Sequence, residues 1–139
     1  GAKTLIGVDV SPEMLEQARL RLSGVLRTEL RLGEVEHLPM KDQEIHTAVM
    51  SMVLHHIPQP RRPISEIFRV IKNGGNVVIT DFEKHENEKI REIIGGEWLG
   101  FSQEIIQTWL TDEGFNDITI ESFDVNYGLT INIFTANKH

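Results

Sequence analysis

Asp9 closes an apolar run, Thr4 to Val10, and Ser11 and Pro12 follow it directly. A carboxylate held at the end of a buried strand offers acceptor oxygens that suit the two hydroxyls of a vicinal diol. Glu34 offers a second carboxylate, in a polar stretch with Val35 beside it. His55 and His56 adjoin each other after a second apolar run, Ile45 to Val53. Asp81 lies inside a third, "NVVITDF", and Trp98, Leu99 and Phe101 follow that run. His56 and Asp81 are the candidates for taking a proton from a substrate. Trp98 and Phe101 are candidates for holding a flat or apolar one. The plain alternatives are a turn-capping role for Asp9, a solvated carboxylate for Glu34, and core packing for Met14, Met52, Trp98 and Phe101. No metal is expected. Neighbours on an extended segment point to opposite sides, which makes His55 and His56 poor joint ligands, and no H-E-x-x-H spacing occurs.

The elements that must position these groups can be read from pattern. The run at Thr4–Val10 is rich in β-branched residues and nearly continuous, as in strands buried on both faces of a parallel sheet. Ser11 is a good helix N-cap and Pro12 suits the first helical position; Met14, Leu15, Ala18 and Leu22 then supply an apolar side. Thr28–Leu32 reads as a short exposed strand and Gly33–Glu44 as loop. Ile45–Val53 reads as the next buried strand. "HHIPQPRRP" reads as a loop leading to a helix with Ile64, Ile67, Phe68 and Ile71 inward, stopped by Asn73, Gly74 and Gly75. Asn76–Phe82 is a third buried strand. Glu83–Glu92 is highly charged and helical towards its end. Ser102 caps a further helix with Ile105, Ile106, Trp109 and Leu110 on one face and Gly114 at its close. Asp117–Val125 and Leu129–Ala136 alternate and meet at Asn126, Tyr127 and Gly128, which predicts an antiparallel hairpin. Strands alternating with helices predict an α/β fold with an open, mostly parallel sheet and one antiparallel strand.

Bulk properties narrow the function. The chain has 139 residues, 40% apolar and 25% charged, as expected of one soluble domain. It carries a formal charge of -7 and a pI near 5.3, so it lacks the electrostatic footprint of a sequence-independent nucleic-acid binder. There are no cysteines, which excludes disulfides, zinc–thiolate sites and a thiol nucleophile. No apolar run reaches membrane-spanning length and no secretion signal is visible. A cytoplasmic protein acting on a small molecule, without nucleic acid or membrane as partner, is the expectation.

Four segments, in order, carry a resemblance. "IGVDVSPEMLEQAR", "LGEVEHLPMKDQEIHTAVMSMVLHHIPQP", "VIKNGGNVVITDF" and "WLGFSQEIIQTWLTDEGF" are collinear with the class I S-adenosylmethionine-dependent methyltransferases. The chain looks most like their small-molecule type, the group of the ubiquinone-biosynthesis and arsenic-regulator-linked enzymes. The resemblance implies a Rossmann-like fold and S-adenosylmethionine as cofactor. It implies that Asp9 and Val10 lie at the ribose, Met14 against adenine, and Glu34 with the Val35 N–H at the adenine edge. Ser51 and Met52 would lie near the methionine part, and Trp98 and Phe101 in the acceptor pocket. His46 stands where the family usually has aspartate.

Relatives open with a strand, a glycine-rich turn and a helix that this chain does not supply. A truncated domain lacking that first unit is therefore expected. The strands Thr4–Val10 and Ile45–Val53 would then close up and pair, or a second copy would exchange a strand to give a homodimer; the less favoured outcome is a fragment of a longer protein that folds poorly alone. Cofactor binding by this chain is open on that account. The competing readings are a non-catalytic remnant serving in oligomerisation, and a nicotinamide-dinucleotide enzyme, in which an acidic residue also ends the second strand.

Overall fold

The computed structural model describes residues 4–24 and 27–139. The chain divides into two compact units, Gly1–Lys41 and Asp42–His139, which are taken in turn.

The first unit is a parallel β-α-β element. β1 (Thr4–Asp9) leads to α1 (Pro12–Leu22) and β2 (Arg27–Leu32), and Asp9 pairs with Leu32 at the end of the ladder. Ser11 starts the helix as its sequence predicts: its Oγ accepts from Met14 N at 3.2 Å, and Pro12 takes the first helical position. Gly7 is required by packing, because a Cβ there would lie 2.9 Å from Leu30 Cδ2. The expectation that Thr4–Val10 is buried on both faces is corrected. No residue of β1 or α1 is buried, since among the described residues β1 pairs only with β2 and α1 covers one face of a two-stranded sheet.

The second unit holds a four-stranded sheet in the order β3–β4–β6–β5. Its strands are β3 (Ile45–Ser51), β4 (Ile71–Phe82), β5 (Asn116–Asp124) and β6 (Thr130–Asn137). β3 and β4 are parallel, and β6 runs antiparallel to both its neighbours, which agrees with a mixed sheet containing one reversed strand. α2 (Arg61–Val70), α3 (Glu88–Ile94) and α4 (Gln103–Glu113) complete the unit. Ile64, Ile67 and Val70 of α2, Ile106 and Leu110 of α4, and Val77, Ile79, Phe134 and Ala136 of the sheet form its core. Ser102 caps α4, accepting from Ile105 N at 3.3 Å, and Gly114 closes it in the left-handed conformation at φ 113°.

Three expectations change here. Among the described residues β1 and β3 belong to separate sheets, so the two strands do not close up into a pair. β3 is an edge strand with only Met50 buried and Val49 70% exposed, not a strand covered on both faces. And α2 ends at Val70, before the Asn-Gly-Gly signal. Ile71 is already extended and pairs with Ile45; the chain bulges through Gly74, at φ 86°, and rejoins the ladder at Asn76 opposite Thr47.

The reason for the early helix end lies far along the sequence. Lys138, itself buried, donates from Nζ to Phe68 O at 2.6 Å and to Ile71 O at 2.8 Å, with the ammonium 4.3 Å from the centre of the Phe68 ring. A cation on the last carbonyls satisfies groups a helix end leaves open. Gly75 is then fixed by contact, because a Cβ would lie 2.2 Å from His46 O. Lys138→Met keeps the stem and removes the donor. It is expected to lower the unfolding free energy by about 1.5–3 kcal/mol, read as a lower urea midpoint at unchanged slope; an unchanged midpoint would show that the cap carries no stability.

Candidate functional site

In open α/β sheets ligands bind beyond the carboxyl ends of the parallel strands. In the first unit that edge carries Asp9, Val10 and the first turn of α1. Asp9 is half-buried and its Oδ1 accepts from Ser11 N at 2.9 Å. Oδ2 has no partner among the described residues and is free to accept from a diol. Val10 is 64% exposed and Met14 53% exposed, which decides against the core reading for Met14 and gives the edge an apolar patch. Glu34 is exposed in the turn after β2, its backbone bridged to His37, and Val35 beside it is half-buried. The unit therefore places a free carboxylate oxygen beside apolar surface, and a second carboxylate in the following turn.

In the second unit the same edge carries Ser51, Met52, His55, His56 and Asp81. Ser51 Oγ lies 3.0 Å from Thr80 Oγ1 of the neighbouring strand. Met52 adopts φ 58° while its N–H donates to Thr80 O at 2.9 Å. A non-glycine residue in that region is uncommon and strained, and such residues gather at functional sites.

The histidines differ from expectation. Leu54–His56 form a 3-10 turn, not an extended segment, so the two rings are not opposed but lie 4.1 Å apart, tilted. His55 is 3% exposed and His56 is on the surface. His55 donates its backbone N–H to Asp81 Oδ2 at 3.1 Å. Its ring pairs through Nδ1 with Asp81 Oδ1 at 2.8 Å, and Oδ1 also accepts from Phe82 N at 2.7 Å. Asp81 is 1% exposed with both oxygens engaged, so of the two candidate proton acceptors only His56 meets solvent. Partial burial, and then the neighbouring His55, hold the His56 imidazole below the ordinary histidine range. It is therefore neutral and able to accept at neutral pH. A proton NMR titration is expected to place the His56 midpoint below that of free histidine, and a midpoint at or above it would contradict this geometry.

Beyond β4 the chain makes α3 and returns as a strap, residues 95–101. Trp98 is 43% exposed and donates from Nε1 to Ile57 O at 2.8 Å, whereas Phe101 is 5% exposed. Both line a groove of about 610 Å³ whose other walls include Pro58, Pro60, Ile105 and Trp109. Its size and aromatic walls suit a small organic ligand, and Arg61, Arg62 and Glu113 also line it. The rings of Trp98 and Phe101 lie 5.8 Å apart. Sequence reasoning missed Trp109, which it assigned to the core face of α4, and the buried role of His55. The i, i+4 spacing of Ile105 and Trp109 marked a shared face but not which side it turned to.

The chain is similar to known proteins. The family described as "Methyltransferase domain" matches residues 1–79. The arsenite methyltransferase of Halobacterium salinarum is 35% identical over 79 residues, covering 55% of this chain and 20% of that protein. The ubiquinone/menaquinone biosynthesis C-methyltransferase UbiE of Citrifermentans bemidjiense is 23% identical over 154 residues, covering 91% of this chain and 65% of that one. The chain thus spans less than two thirds of either. Among solved structures, the Haemonchus contortus phosphoethanolamine N-methyltransferase 2, in complex with S-adenosyl-L-methionine, superposes with a TM-score of 0.80 at 18% identity, covering 96% of this chain and 43% of that one.

Proposed function

Since the chain belongs to the methyltransferase-domain family of class I S-adenosylmethionine-dependent enzymes, we propose that it binds this cofactor through its first unit and serves methyl transfer to a small apolar acceptor. The free Asp9 Oδ2 beside exposed Val10 and Met14 carries the reading. The residues fit the group: a carboxylate accepts from both ribose hydroxyls, and apolar side chains cover an adenine face. Glu34 would accept from the adenine amine, and the Val35 N–H would donate to a ring nitrogen.

Bound, the cofactor supplies an activated methyl that already carries its leaving group. What the chain must add is proximity and alignment, worth up to about 7–11 kcal/mol in ideal intramolecular cases. In the second unit the aromatic groove holds the acceptor's apolar part between Trp98 and Trp109, and His56 accepts the proton the acceptor releases. Ser51 and the constrained Met52 present backbone and hydroxyl groups at the end of β3. The groove volume and its aromatic walls support an acceptor that is small and apolar in part.

The test is calorimetric titration with S-adenosylhomocysteine. Micromolar binding supports the reading, and none up to millimolar concentration overturns cofactor binding by this chain.

A further inference from the structure

The strap 95–101 is fastened at several points, and His55 lies under it. Glu97 N and Trp98 N both donate to His55 O, at 2.8 and 3.1 Å. Gly96 crosses so closely that a Cβ would lie 2.9 Å from His55 O and 3.1 Å from His55 Cδ2. At the other end Phe101 N donates to Phe82 O at 2.9 Å, His85 N donates to Leu99 O at 2.9 Å, and a Cβ on Gly100 would lie 2.5 Å from Glu83 O. The strap's near half therefore follows wherever His55 goes, and His55 goes where Asp81 holds it. Asp81 takes the His55 backbone and ring with separate oxygens and is itself tied to Phe82 N. Both side chains are almost wholly buried, at 4% and 2% side-chain exposure. This burial, and the strap above, leave neither in reach of a substrate.

We propose that the Asp81–His55 pair is a latch that sets the wall of the aromatic groove, with His55 a positioning residue acting on the acceptor through Trp98. The inference rests on the reading that the groove takes the acceptor. Asp81, on β4, and His55, on the turn after β3, come from separate elements. Joining them fixes the turn whose Ile57 carbonyl receives the Trp98 indole. The same contacts fix the backbone on which Trp98 sits. Rotation of His55 away from Asp81 would move its carbonyl, release the two strap N–H groups and let Trp98 leave the groove. The bond pattern also places a proton on the ring. Asp81 Oδ1 is an acceptor, so the His55 Nδ1 is a donor, and Nε2 has no partner among the described residues.

The test uses the full chain and N-phenyl-1-naphthylamine, a flat, uncharged fluorescent probe for the groove, with Trp98→Ala as the control that abolishes its binding. His55→Asn places an amide nitrogen where Nδ1 stands and restores the bond to Asp81; His55→Gln places it one bond farther out. His55→Asn is expected to bind the probe as the natural protein does. His55→Gln is expected to bind it about tenfold more weakly, the change that the loss of roughly one hydrogen bond produces. S-adenosylhomocysteine affinity should stay equal in both. Folded variants that all bind the probe alike overturn the latch. A natural protein that fails to bind the probe saturably overturns the groove reading and the latch with it. One that binds the probe but not S-adenosylhomocysteine removes the cofactor reading alone, and the Asn-against-Gln contrast still decides the latch. Nitrogen-15 NMR of the natural protein needs no variant: a proton on His55 Nδ1 supports the proposal, and an Nδ1 that carries none overturns it.

Discussion

His55→Ala is expected to lower the unfolding free energy by about 3–5 kcal/mol, the cost of leaving one member of a buried polar pair without the other. Asp81 is 1% exposed, and on truncation of its partner it keeps two backbone donors but loses the ring at 2.8 Å. A buried carboxylate short of a donor pays desolvation that solvent no longer returns. The vacated volume also takes one ring from beside Phe82, whose ring centre is 5.4 Å from that of His55, and leaves it the edge contact with His85. Urea denaturation would read the effect as a lowered midpoint. A loss below about 0.5 kcal/mol, the scale of an ordinary surface change, would show that the pair is not held as described. The conservative Asp81→Asn keeps shape and removes one acceptor, and it should fall between His55→Ala and the natural protein.

Asp9→Asn is expected to weaken S-adenosylhomocysteine binding roughly ten- to a hundredfold, as loss of a charged acceptor to a ligand hydroxyl does. Asparagine can still accept from Ser11 N through its single oxygen, so the turn into α1 is preserved. The atom that changes is the one facing outward, where an amide donor replaces an acceptor. Asp9→Ala loses both functions and serves as the lower bound. Calorimetry on the natural protein and the two variants, with circular dichroism as a check of fold, decides it. An unchanged dissociation constant in Asp9→Asn would remove the ribose assignment while leaving family membership intact.

The features read correctly from sequence are local ones. Ser11 and Ser102 announced their helices because a cap needs only a hydroxyl and the N–H three residues on. Gly114 announced an end because its φ of 113° suits glycine. The β5–β6 hairpin followed from alternation around Asn126, Tyr127 and Gly128. What stayed hidden depends on partners distant in the chain. His55 meets Asp81 across 26 residues, and nothing in "HHIP" says which ring turns inward. Lys138 caps α2 across 67 residues, and the helix ends at Val70, ahead of the glycines. Strand exposure was misjudged for a related reason. An apolar run at Ile45–Ser51 shows what a strand can bury, not whether a second strand lies along its outer edge, and Val49 is 70% exposed.

The position of β6 bears on how the second unit assembles. It is flanked on both sides, by β4 and by β5. Yet its pairing with β4 joins Asn76 to Asn137, positions far apart in sequence, whereas its pairing with β5 closes through a short turn. Nearby segments meet sooner because closing a long loop costs more entropy. The β5–β6 ribbon is thus the natural early product. Its docking onto β4 is the step that brings Lys138 to the end of α2, so the rate-limiting event in refolding should be one that buries Phe134 and Lys138 together.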